Sequence, residues 1–276
     1  MSNLARCIKT SANTVLEQSF PVLHRALGQS NLRYYLHLPE TLTKKTRVMV
    51  CVHGISRNAK EQLIAFRQQA SEADYILVAP YFSKKHYRGY QRLEAGSAGY
   101  TSAEALNKIL YDVEQRFGID TRKFSLFGYS GGAQFAHRYA MLSPERIDKL
   151  IITSAGWYTF PDKQQKYPYG LKSTQSFPVD LSANLAAFLK LKIRTLVGEL
   201  DNVDDPGLNR SQQISRQQGY HRLERAKRWV CALQNACHEL GVVSDLHFIT
   251  IKGCGHSFES CERFGNISKY LFTPDN

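Results

Sequence analysis

Gly128-Tyr129-Ser130-Gly131-Gly132 follows directly on the apolar run Phe124-Ser125-Leu126-Phe127 and precedes the helical stretch Ala133-Gln134-Phe135-Ala136-His137-Arg138-Tyr139-Ala140. The pentapeptide fits Gly-x-Ser-x-Gly, in which a tight strand-to-helix turn lifts a serine hydroxyl clear of a sheet. Glycines flank the serine because side chains there would collide with the strand behind or the helix ahead. Five residues of this kind arise by chance. The weight of the motif comes from its context, a strand pattern before it and a helix pattern after it.

A serine hydroxyl is a poor nucleophile until a base takes its proton. The partners it needs, a histidine and a carboxylate, stand at the ends of later strands. Arg194-Thr195-Leu196-Val197-Gly198 reads as a strand, and Asp201 in the following Glu199-Leu200-Asp201-Asn202 is the candidate acid. His247-Phe248-Ile249-Thr250-Ile251 reads as another, and His256, flanked by Gly253 and Gly255 in the next loop, is the candidate base. Asp204 and Asp205 compete with Asp201 but lie further along, beside Pro206, where each could cap a turn. Glu199 stands too near the strand end to reach across. Among the other histidines, His53 precedes the serine, His137 falls on the helix behind it, and His238 and His247 lie on helix and strand bodies.

Outward from this centre, strands alternate with helices. Residues 32–39 and 47–52 read as strands, 59–72 as a helix, 76–80 as a strand, and 102–117 as a helix with Ala105, Ile109, Val113 and Phe117 near one stripe. Lys149-Leu150-Ile151-Ile152-Thr153 is a further strand. The alternation predicts an α/β fold, a mostly parallel central sheet with helices on both faces. Ligands then bind at the carboxyl ends of the strands, where Ser130, Asp201 and His256 fall. Residues 1–30 show no clear period and are expected to wrap the outside of the domain.

Residues 156–185 break the rhythm with Gly156-Trp157-Tyr158-Thr159-Phe160-Pro161 and Tyr167-Pro168-Tyr169-Gly170. Two readings are open, a short lid-like insertion facing the substrate or a packed surface loop. Substrate contact is preferred, because Trp157 follows a strand end closely. Tyr81, just after the strand 76–80, is expected to touch substrate for the same reason.

The chain has 276 residues, 43% of them hydrophobic, enough for one large domain spanning 1–276. It contains no run of the roughly 18 apolar residues that a membrane span needs. The N-terminus has no apolar core of the length of a secretory signal, so a cytoplasmic location is expected. The six cysteines agree with a reducing compartment; Cys254 and Cys261, which bracket the histidine loop, are the one pair considered for a disulfide. The net charge of +12 gathers partly in residues 216–228. With Leu223, Ala226, Val230 and Leu233 at helical spacing, that run reads as the solvated face of an amphipathic helix. No nucleic-acid motif, phosphate-binding glycine pattern or metal constellation is present, so neither a nucleic-acid partner nor a cofactor is expected.

On these residues the chain resembles the α/β-hydrolase superfamily over roughly residues 31–272. Within it, the chain is similar to bacterial esterases related to polyhydroxybutyrate depolymerases and feruloyl esterases. The matching pieces are Tyr35-Leu36-His37-Leu38-Pro39, His53-Gly54-Ile55-Ser56, the elbow around Ser130, Gly198-Glu199-Leu200-Asp201 and Gly255-His256. The resemblance implies the chain order nucleophile, acid, base, which Ser130, Asp201 and His256 follow. It also implies an oxyanion hole made by the N–H groups of Ile55 and Gly131. The implied activity is hydrolysis of a small soluble ester. The same machinery serves thioesterases, peptidases and acyltransferases, and a non-catalytic binding protein is the reading from another class.

Overall fold

The structure is a computed structural model and describes residues 21–28, 31–97, 99–203, 205 and 207–273. Most of the N-terminal stretch expected to wrap the domain lies outside the described residues, as does Asp204. Along the chain run β1 (Val22–Arg25), β2 (Arg33–His37), β3 (Arg47–Val52), α1 (Ala59–Glu72), β4 (Tyr75–Pro80), α2 (Ser102–Phe117), β5 (Phe124–Tyr129) and α3 (Gly131–Leu142). There follow β6 (Ile147–Thr153), α4 (Leu185–Leu189), β7 (Lys192–Gly198), α5 (Gln212–Gln218), α6 (Arg222–Leu240), β8 (Asp245–Ile251), α7 (Phe258–Gly265) and α8 (Ser268–Phe272).

Among the described residues, eight strands form one sheet in the order β1-β2-β4-β3-β5-β6-β7-β8. The two pairings that involve β2 are antiparallel, and β4 through β8 run parallel. The central strands are continuous apolar runs because both faces are covered. On β3, Val48, Val50 and Val52 join one hydrophobic cluster while Met49 and Cys51 join the other. The first cluster is closed by α2, α3, α4 and α6, the second by α1, α7 and α8. The α/β architecture read from the sequence is therefore the architecture found.

Local signals set the element ends. Thr101 and Glu104 form a reciprocal capping box at the start of α2, and Gly118 ends it in the left-handed region at φ 66°. The edge strand β1 escaped the sequence reading. Its burial pattern is mostly exposed, and β2 supplies its pairing, so no apolar periodicity marks it.

The segment 156–185 packs on α3 and α6. Tyr158 is fully buried and stacks on Trp229 with ring centroids 4.7 Å apart. Its backbone exchanges two hydrogen bonds with the buried Gln218 side chain. Thr159 donates its N–H to His137 Nε2 and accepts from Trp229 Nε1. Among the described residues, no helix is long and apolar enough to cross a membrane.

Candidate active site

Ser130 sits between the end of β5 and the first residue of α3, with φ at 54°. A non-glycine residue rarely takes this conformation. The turn is held at Ser130 itself and at Gly132. Ser130 donates its N–H to the Thr153 carbonyl at 2.8 Å, and a Cβ on Gly132 would collide with the Val52 carbonyl oxygen. The close approach of α3 to β3 thus requires glycine at 132.

The imidazole of His256 places Nε2 3.1 Å from Ser130 Oγ and Nδ1 3.0 Å from Asp201 Oδ2. These residues are 126 and 55 positions apart from His256 in sequence, and the ends of β5, β7 and β8 bring them together. Because Nδ1 faces a carboxylate it carries the proton, which leaves Nε2 to accept from the serine hydroxyl. The Tyr129 ring stacks on His256 at 5.3 Å and 21°, which supports the imidazole from one side. Asp201 is 1% exposed, and Arg222 Nη1 donates to its second oxygen, Oδ1, at 3.2 Å.

Ile55 and Gly131 face each other across the same corner. A Cβ on Gly131 would stand 3.2 Å from the Ile55 nitrogen and 2.7 Å from the Tyr90 hydroxyl oxygen. Tyr90 donates that hydroxyl to the His53 carbonyl at 2.8 Å and so holds the His53-Gly54-Ile55 loop in place. A cleft of about 310 Å³ opens here, lined by Ile55, Glu61, Tyr129, Ser130, Arg222 and His256 among others.

The rival histidines are occupied elsewhere. Phe82 N–H donates to His53 Nε2 at 3.1 Å, so Nδ1 carries the proton and gives it to the Gly54 carbonyl at 2.8 Å. Complete burial pushes the His53 pKa down to about 4. His137 is likewise held between the Ala133 carbonyl and the Thr159 N–H, with burial driving its pKa well below the usual value. His247 pairs with Asp245 on the edge strand β8. Glu199 accepts from the Gly253 N–H and steadies the histidine loop. Asp205 bonds Arg222 rather than His256.

Tyr81 and Trp157, expected at the substrate, do not line this cleft. The Arg33 guanidinium covers the Tyr81 ring at 4.7 Å. Trp157 is 6% exposed, with the Arg138 guanidinium 4.2 Å over its ring, so the aromatic turn packs inward where apolar area is best hidden. The basic run 216–228 also departs from the solvated reading. Arg216, Lys227 and Arg228 are exposed, but Arg222 and Arg225 are buried. Arg225 donates to the carbonyls of Gly219, Gly156 and Asn209. Arg222, Tyr129 and Tyr90 were missed as site residues; only Tyr129 had a sequence signal, its place beside the serine in the elbow.

No protein-family model matches the chain, and no curated protein does. Among solved structures it is similar to poly(aspartic acid) hydrolase-1 from Sphingomonas sp. KT-1, at 26% identity and a TM-score of 0.77, over 91% of this chain and 97% of that one. It is also similar to LpqC, a poly(3-hydroxybutyrate) depolymerase from Bordetella parapertussis, at 24% identity and a TM-score of 0.75, over 88% and 87%. An S-formylglutathione hydrolase from Agrobacterium tumefaciens shares the fold at 13% identity and a TM-score of 0.58, over 91% and 94%. The sheet order, the strand-to-helix elbow and these likenesses together make the chain an α/β-hydrolase in fold, a member of the superfamily that its sequence resembles.

Proposed function

We propose that the chain is a serine hydrolase that cleaves a carboxylic ester through an acyl-enzyme. The observation that carries this reading is the continuous hydrogen-bonded line from Ser130 Oγ through His256 to Asp201, at 3.1 and 3.0 Å, beside an open cleft. His256 Nε2 takes the hydroxyl proton as Ser130 Oγ bonds to the ester carbonyl carbon. The carbonyl electrons move onto oxygen, which accepts from the N–H groups of Ile55 and Gly131. The tetrahedral species collapses, the C–O bond to the alcohol breaks, and the proton on His256 goes to the leaving oxygen. Water, deprotonated by His256 in turn, releases the acid and restores the hydroxyl. Asp201 holds the ring in the required tautomer and stabilises its cation throughout.

Turnover of a series of p-nitrophenyl esters, with Ser130→Ala as the control, tests the reading. The substitution is expected to lower kcat by about four orders of magnitude or more, and a fluorophosphonate is expected to label Ser130 in the folded protein. Retention of most activity in Ser130→Ala would overturn it.

Two observations favour a second reading, a polyanionic substrate. The chain carries a net charge of +12, and the first of the similar structures is named for hydrolysis of poly(aspartic acid). A KM that rises steeply with ionic strength on an anionic polymer, and stays flat on a neutral ester, would support it.

A further inference from the structure

Arg222 is the first residue of α6, and its side chain is 4% exposed. It grips two carboxylates at once. Nη1 donates to Asp201 Oδ1 at 3.2 Å and Nη2 to Asp205 Oδ2 at 2.5 Å. Asp201 spends its other oxygen on His256, so both of its oxygens are bonded by charged or chargeable groups. The backbone joins the same clamp, for Leu223 N–H donates to the Asp201 carbonyl at 3.1 Å. The first turn of α6 therefore lies against the acid, and the positive end of its dipole favours a carboxylate there.

We propose that Arg222 and Asp205 extend the line of Ser130, His256 and Asp201, with Arg222 as the positioning residue for Asp201 and Asp205 as the counter-charge that lets this buried cluster accept an imidazolium. The inference rests on the reading of Ser130 as the nucleophile. An ionised carboxylate without a cation is costly to bury, and the Arg222 guanidinium on Oδ1 offsets part of that cost for Asp201. Arg222 alone would also cancel the negative field that the imidazolium needs. Asp205 restores it. Two carboxylates against one guanidinium leave one net negative charge, which the proton arriving on His256 neutralises. Burial pushes the Asp205 carboxyl up, but the Gly207 N–H, the Arg222 guanidinium and the nearby His256 together hold it below the usual carboxylate range.

Among the described residues, the other titratable and charged groups around the imidazole are Tyr129 from β5, Glu61 from α1 in the same cleft, and Cys254 from its own loop with Cys261 on α7. Glu259 on α7 acts on Glu61, and Glu199 is turned to the Gly253 N–H. None of these touches Asp201 Oδ1, so the charge at that oxygen is set by Arg222.

The test is the acid limb of the kcat/KM profile, measured in parallel with an NMR titration of the His256 ring, in the parent, Asp205→Asn, Arg222→Met and Arg222→Lys. Asp205→Asn is expected to move both readouts to lower pH by about half a unit, and Arg222→Met to higher pH by about one unit with kcat down about tenfold. Arg222→Lys should leave the limb in place while kcat still falls, because an ammonium cannot fork across two carboxylates. Opposite shifts from the two halves of one ion pair are not produced by loosened packing. Shifts in the same direction, no shift, or parent-like kcat in Arg222→Lys would each overturn the proposal. If Arg222→Met does not fold, Asp205→Asn decides by the sign of its shift. The ring titration needs no turnover, so a chain that cleaves no ester refutes the proposed function separately from this result.

Discussion

Replacing Gly131 with alanine separates the chemistry of the site from its stability. Gly131 has an ordinary φ and opens α3, where alanine is the better helix former by up to about 1 kcal/mol. The new methyl, however, would stand 2.7 Å from the Tyr90 hydroxyl oxygen, 2.9 Å from Ile55 Cγ2 and 3.2 Å from the Ile55 nitrogen. Ile55 is 58% exposed, and its side chain can rotate away. Tyr90 is fully buried and tied to the His53 carbonyl, so the His53-Gly54-Ile55 loop must give instead. That moves one of the two N–H groups assigned to the oxyanion. Losing one such donor costs about 3 kcal/mol, or about a hundredfold in kcat.

Stopped-flow turnover of a p-nitrophenyl ester and urea denaturation on the same sample would read both quantities. The expected result is kcat down about a hundredfold with little change in KM, and unfolding free energy within about 1 kcal/mol of the parent. Gly132→Ala is the contrast. Its methyl meets the Val52 carbonyl oxygen on the neighbouring strand, a backbone atom that cannot swing aside, so it should cost about 3 kcal/mol of stability. A Gly131→Ala enzyme with kcat within twofold of the parent would refute the placement of the oxyanion hole.

Further outcomes follow from other buried groups. Because burial holds the His53 pKa at about 4 against an ordinary 6.5, the unfolded chain binds the extra proton first as pH falls. Stability is therefore full above about pH 6.5 and is lost between there and pH 4, by about 3 kcal/mol from this group; urea titrations should show that slope reduced in His53→Gln. Arg225→Met strips the donor from three carbonyls and should lower the unfolding free energy by about 4 kcal/mol, with a loss under about 1 kcal/mol contradicting its role as a tie between loops. Cys254 and Cys261 are free, buried and place their Sγ atoms side by side, so hydrogen peroxide should join them, two thiols giving a disulfide and two waters. The reaction should be slow, because burial raises both thiol pKa values; an undiminished thiol count after long exposure would refute it.

The parts of this protein legible in its sequence are those written in local pattern. The helices at 59–72 and 102–117 carry their own periodicity and, for the second, its caps. The strands β3, β4 and β5 are largely apolar runs because each is covered on both faces, and the elbow at Ser130 shows its glycines because backbone comes too close for anything larger. The chain order of Ser130, Asp201 and His256 was likewise visible, since each follows a strand whose carboxyl end meets the same edge of the sheet. What the sequence by itself could not decide is which side of a pattern a polar or aromatic residue would face, and whom it would meet. Arg222 and Arg216 look alike in the basic run, yet one is buried against Asp201 and Asp205 and the other is solvated. Trp157 follows a strand end as a pocket residue would, yet packs under Arg138. Strand and helix follow from neighbours in the chain, whereas the partner of a charge or a ring is chosen among residues brought close only when the sheet is assembled, and that choice belongs to the tertiary structure.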